Sequence, residues 1–280
     1  MKYVKVIFWP LINTFFIGFF LWLILQIGDQ VKWENVLQPV TNQFCEIDQG
    51  GALKQPYNVF TNLAYIFIGF VILQLGVFDL QNPKPDNFLV RFPMFSILLG
   101  CSSIYVGLGS TFYHASLTAL SQSIDGSGVM ACFLLPAVYM TFRLWGHVNT
   151  KKSAAFILRT YRMVVLFFIL TNLLLFVFEA PHRLVGHVLT VYTTLIMLFT
   201  NFKYKLKFQW KYFFMSLFFI ILGKTLWELD MHRVLCGEND LLNFHALWHI
   251  CSGFSVLFIY LFFRTEEKYI QNESTLQTDQ

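Results

Sequence analysis

The sequence predicts an all-α polytopic membrane protein, and three observations carry that reading. Of 280 residues, 56% are hydrophobic and 13% charged, with mean hydropathy +0.56; a soluble domain carries about a quarter charged residues. The apolar residues gather in eight runs of about twenty residues, the length that crosses a hydrocarbon core. The basic residues between these runs are unequally shared. Fifteen fall on one side of an eight-span topology. Four (Lys32, Lys54, Arg183 and Arg233) fall on the other, with Lys224 in or near a span. An excess of Lys and Arg marks the cytoplasmic side, so both termini are expected there. The 33 Phe residues suit lipid-facing surface. The basic residues form no stripe, which argues against nucleic acid as a partner.

The first run, 6–27, follows Lys2 and Lys5 as a signal peptide would. It is long, however, and IGDQVKWENV offers no small-x-small cleavage site, so a retained anchor helix over 1–28 is expected. An outer loop occupies 29–57. Further spans at 58–78, 88–111, 124–144, 161–179, 183–202, 210–229 and 244–263 make up a core over 58–264. No internal repeat appears. The polar stretch TEEKYIQNESTLQTDQ, 265–280, predicts a solvated cytoplasmic tail.

Ionisable residues are costly at membrane depth and are read by default as functional. His114 lies in GSTFYHAS, His245 and His249 in FHALWH, and Asp125 at the mouth of a neighbouring run. All fall on the predicted outer side. Ser110 and His114 are four apart, as are His245 and His249, so each pair shares a helix face. Three neutral imidazoles with an open fourth position form a catalytic zinc site. Zinc lowers the pKa of bound water, Asp125 is placed to act as general acid and base, and Ser110 to donate to a developing oxyanion. Each piece alone is weak: HxxxH pairs often bind nothing, an interface serine usually packs, and Asp125 could pair with a nearby cation. His187, near the outer end of the sixth span, competes as a ligand. His182 and His232 read as loop residues, and His147 falls on the cytoplasmic side.

The stretches GLGSTFYHASLTALSQSID, WELDMHRVLC and FHALWHI resemble the alkaline ceramidase family, within the CREST superfamily of membrane hydrolases. FCEID…NVFTN resembles the segment before that family's first core helix. The resemblance spans about 43–264 and implies a seven-helix core with one additional N-terminal helix here. It implies that His114, His245 and His249 hold zinc, with Asp125 and Ser110 catalytic. It also implies a calcium ion beside the zinc, held by Glu46, Asp48, the Phe44 carbonyl and positions 43 and 55. Gln43 and Gln55 are neutral where the family pattern has carboxylates. Cys45 and Cys236 lie in outer loops, where an oxidising compartment permits a bridge, and they match the family's disulfide. Cys101, Cys132 and Cys251 lie in spans and are expected to be buried.

The function expected is therefore a zinc-dependent amidase that cleaves the N-acyl bond of ceramide or a related lipid within the bilayer. The site would face the periplasm or an organelle lumen. The alternatives are hydrolysis of another acyl lipid, such as an ester, and a receptor-like lipid-binding protein with a structural zinc. A transporter is disfavoured, because no spans show paired Gly/Pro breaks.

Overall fold

The computed structural model describes residues 2–28, 32–37, 44–82, 87–148, 182–204, 208–234, 236 and 243–266, with scattered positions between 162 and 177. Its helices in chain order are α1 (Lys2–Ile27), α2 (Pro56–Thr61), α3 (Leu63–Gln81), α4 (Phe88–Arg91), α5 (Met94–Ser116), α6 (Ala119–Val148), α7 (His182–Tyr204), α8 (Trp210–Met231) and α9 (Phe244–Arg264). Among the described residues there is no strand, only an isolated bridge between Val36 and Thr118. Among the described residues, seven helices, with α2 and α3 taken as one, are long and apolar enough to cross a membrane. The predicted span 161–179 lies largely outside the described residues; its described positions are helical.

The order of contacts sets the helix directions. Gly186 of α7 faces Met130 and Phe133 of α6, and further along Tyr192 Oη lies 2.8 Å from Thr141 Oγ1. Thus α6 and α7 run the same way. Helices α3 and α5 are antiparallel and meet through glycines. A Cβ on Gly69 would lie 2.7 Å from the Gly100 carbonyl, and one on Gly100 would lie 2.7 Å from Leu73 N. Small residues let membrane helices approach this closely, where packing replaces the hydrophobic drive available in water. Hydroxyls add crossing bonds: Ser103 Oγ donates to the Tyr65 carbonyl at 2.8 Å, and Ser216 Oγ to the Ser255 carbonyl at 2.9 Å.

One predicted boundary moves. The apolar run 88–111 breaks into the turn α4, capped by Asn87 Oδ1 on Val90 N, and the long helix α5, which starts after Pro93. Proline disfavours helix at the residue before it, and Phe92 leaves the helical region. The span therefore shifts towards its C-terminus, and Ser110 and His114 lie inside its last two turns. Helix α5 stops at Leu117, whose φ of 52° is left-handed, and the chain turns directly into α6.

Helix α1 lies at the periphery. Leu21 packs in a small cluster with Leu53, Val59 and Ala115, while Phe15, Phe16, Phe19 and Phe20 are exposed. At the end of the bundle away from His114, Arg143 pairs with Glu266, which also accepts from Tyr139 Oη at 3.2 Å. Arg264 forks onto Asp79 there. Glu266 is only 3% exposed, so the predicted tail starts with a docked residue; 267–280 lie outside the described residues. Of the span cysteines, Cys251 is buried, Cys132 half-buried and Cys101 exposed. The expected burial of Cys101 does not hold, because a lipid-facing surface accepts an apolar thiol as readily as the interior does.

Candidate metal centre

The ends of α5 and α9 bring three histidines together. His114, His245 and His249 are all buried, and each offers a ring nitrogen within 4.8 Å of the others. Local sequence fixes the two helix ends. Asn243 caps α9, its Oδ1 accepting from Ala246 N at 3.1 Å, which places His245 in the first turn and His249 one turn on. His114 comes from the last turn of α5.

Hydrogen bonds fix two of the three tautomers. Gln55 Nε2 donates to the Glu46 carbonyl at 2.7 Å, which leaves Gln55 Oε1 to accept from His114 Nδ1 at 2.6 Å. Thr61 Oγ1 donates to the Tyr57 or Asn58 carbonyl, so it accepts from His249 Nδ1 at 3.1 Å. In both rings Nε2 is left with its lone pair facing the centre. His114 Nε2 and His245 Nε2 stand 3.1 Å apart. Nitrogens at about 2.0–2.1 Å from one tetrahedral ion would be roughly 3.3 Å apart. His245 Nδ1 is buried with no hydrogen-bond partner. Geometry and donor set fit a metal bound by three imidazoles.

Ser110, one turn before His114, is buried, and its Oγ lies 3.5 Å from His249 Nε2. The neighbouring backbone brings Asp125 close: a Cβ on Gly109, the residue before Ser110, would lie 3.4 Å from the Asp125 Cα. Gly109 eases the close packing of α5 on α6 there, since a Cβ would lie 3.1 Å from Ile124 Cγ2 and 3.3 Å from the Ile124 carbonyl. Asp125 is half-buried in the second turn of α6. All five residues singled out in the sequence therefore converge. His187 is exposed and outside the histidine cluster. His232 is exposed beside Glu228. The side chains of His147 and His182 are outside the described residues.

The described loop Phe44–Gln55, just before α2, packs against the centre. Cys45 and Cys236 are disulfide-bonded across 191 residues of sequence. Asp230 forms a second tie: Oδ1 accepts from Cys45 N and Oδ2 from His245 N, both at 2.9 Å. Between these ties the Phe44 ring packs 4.2 Å from the His245 ring and 5.5 Å from that of His114.

The residues given to calcium by resemblance are engaged within the protein. Glu46 accepts from Tyr57 N at 2.7 Å, Asn58 N at 2.8 Å and Asn243 Nδ2 at 2.9 Å. Asp48 accepts from Lys54 Nζ at 2.6 Å and Gly50 N at 2.8 Å. Gln55 serves His114, and Gln43 lies outside the described residues. Calcium takes six to eight oxygens, with carboxylates among them. Two carboxylates already turned to N–H donors do not fit it.

A family model described as Ceramidase matches residues 41–278. The chain belongs to the ceramidase family. A search of curated proteins finds no match to it. The family implies a membrane-embedded hydrolase acting on amides, with a lipid substrate. Its match begins at residue 41, so α1 lies outside the matched region.

Sequence reasoning did not single out Thr61, Asp230 or Asn243, and it gave Gln55 a different task. Thr61 and Asp230 stand in the quoted stretches NVFTN and WELDMHRVLC. Their roles depend on which helix end each one faces, and no spacing along one helix reveals that.

Proposed function

We propose that this protein is a zinc-dependent intramembrane amidase that hydrolyses the N-acyl bond of ceramide or a related N-acyl lipid to a free fatty acid and an amine. The observation that carries the proposal is the buried trio His114, His245 and His249, two of them held with Nε2 free, beside Ser110 and Asp125. Those three histidines would hold the zinc. When bound, zinc supplies Lewis acidity to the acyl carbonyl and lowers the pKa of a bound water towards 7. Asp125 takes the proton of the attacking water and returns it to the departing amine nitrogen. Ser110 donates to the carbonyl oxygen as negative charge develops there. Phe44 and the loop above it exclude bulk water. Three protein ligands, rather than the four of a structural zinc, favour turnover over a receptor-like role.

The positive-inside count supports a reading with both termini in the cytoplasm and the centre on the outer side. The Cys45–Cys236 disulfide at the same end supports that orientation, since such bonds persist in oxidising compartments. The domain reading follows: α1 as an anchor, the loop before α2 over the site, and a seven-helix catalytic core ending at Arg264. The test is fatty-acid release by purified protein from matched ceramides, other N-acyl lipids and acyl esters. Release from amides ahead of esters is expected. Release from esters alone would replace the amidase reading, and release from neither would end it.

A further inference from the structure

The loop from Phe44 to Gln55 carries two carboxylates and one cation, and the cation is its own. Lys54 Nζ stands 2.6 Å from Asp48 Oδ2, with side chains only 12% and 22% exposed. The backbone holds Lys54 in place from both sides: its N–H donates to the Ala115 carbonyl at 3.2 Å, and its carbonyl accepts from Gln49 N at 2.7 Å. The next residue, Gln55, donates from its backbone N to the His114 carbonyl at 3.0 Å and accepts from the His114 ring. The ion pair thus joins the outer arm of the loop to the arm that orients a metal ligand. Position 55 carries no charge that a second cation would need to balance.

We propose that the Lys54 ammonium takes the structural place of a divalent cation in this loop, which makes the protein indifferent to calcium. A lysine supplies one compact positive charge on a stem that can reach a carboxylate, and here the backbone on either side has already fixed that stem. A divalent ion brought to the same carboxylates would have to displace the ammonium and recruit oxygens from two amide side chains. Its binding would be opposed by the charge already present.

The experiment is a thermal melt of the purified, zinc-loaded protein in EGTA-treated buffer re-supplied with zinc, then with calcium raised from micromolar to millimolar, alongside retention of radiocalcium. Wild type is expected to melt at the same temperature throughout and to retain no calcium. Lys54→Met leaves Asp48 unpaired and is expected to melt about 2–4 °C lower, whereas Lys54→Arg keeps the charge and most of the stability. Lys54→Met combined with Gln55→Glu leaves the loop with three carboxylates and no cation, and it should regain stability only when calcium is added. Stoichiometric radiocalcium on wild type, or a calcium-dependent rise in its melting temperature, would overturn the proposal. So would a Lys54→Met melt equal to wild type, or a double variant that ignores calcium. The wild-type measurement holds whether or not the variants fold, and none of the readouts depends on which lipid is hydrolysed.

Discussion

Gln55 shows how one buried amide can set the state of a metal ligand. Its own hydrogen bond to the Glu46 carbonyl orients it, so only its oxygen can face His114 Nδ1. Gln55→Leu removes that acceptor and leaves a buried N–H unsatisfied. Zinc affinity is expected to fall about 10–100-fold, as for other lost partners of metal-bound histidines. Competition with a chelating dye would measure it, and Gln55→Glu, which keeps an acceptor, should retain most of the affinity. Equal affinities for all three forms would contradict the role. The ligands themselves were legible in the sequence, because i, i+4 spacing puts His245 and His249 on one face and Ser110 beneath His114. The partners that orient them were not, because Gln55, Thr61 and Asp230 belong to other segments and meet the histidines only when three helix ends converge.

At the scale of elements, the loop before α2 is fastened twice, by the Cys45–Cys236 bond and by Asp230 bridging Cys45 N to His245 N. Removing a native disulfide typically costs about 2–5 kcal/mol. With Asp230 still in place, Cys236→Ser is expected near the lower end of that range, and adding Asp230→Asn should cost more than the sum of the two single changes. Thermal melts of the four forms give the coupling, and strict additivity would mean that the ties act independently. Helix existence was readable from the apolar runs, while the start of α5 was not. A run counted by hydropathy alone passes over Pro93, whose ring interrupts the helix without making it less apolar.

For the whole molecule, the histidine centre and the buried ion pairs sit at opposite ends of the bundle. The histidine end carries the disulfide. The other end carries the buried pair Arg143–Glu266 and the Arg264–Asp79 fork. Breaking a buried pair strands a charge, at about 3–5 kcal/mol. Glu266→Ala should therefore lower the melting temperature while leaving zinc content unchanged, and a loss of zinc would mean that the two ends are coupled. The overall topology was legible because lipid imposes long apolar spans and an asymmetry of basic loops. The docking of Glu266 was hidden because its surroundings in sequence are polar, and its partner Arg143 lies 123 residues away.

The central claim is that His114, His245 and His249 hold a catalytic metal that works with Asp125. It is tested most directly by stripping the purified protein of metal and restoring zinc while ceramide hydrolysis and bound zinc are both measured. Wild type should lose hydrolysis on stripping and recover it with one zinc per chain. His249→Ala should neither hold zinc nor recover. Asp125→Asn should retain its zinc yet hydrolyse about 100- to 10,000-fold more slowly. Full hydrolysis by metal-free wild type, or by Asp125→Asn, would contradict the account.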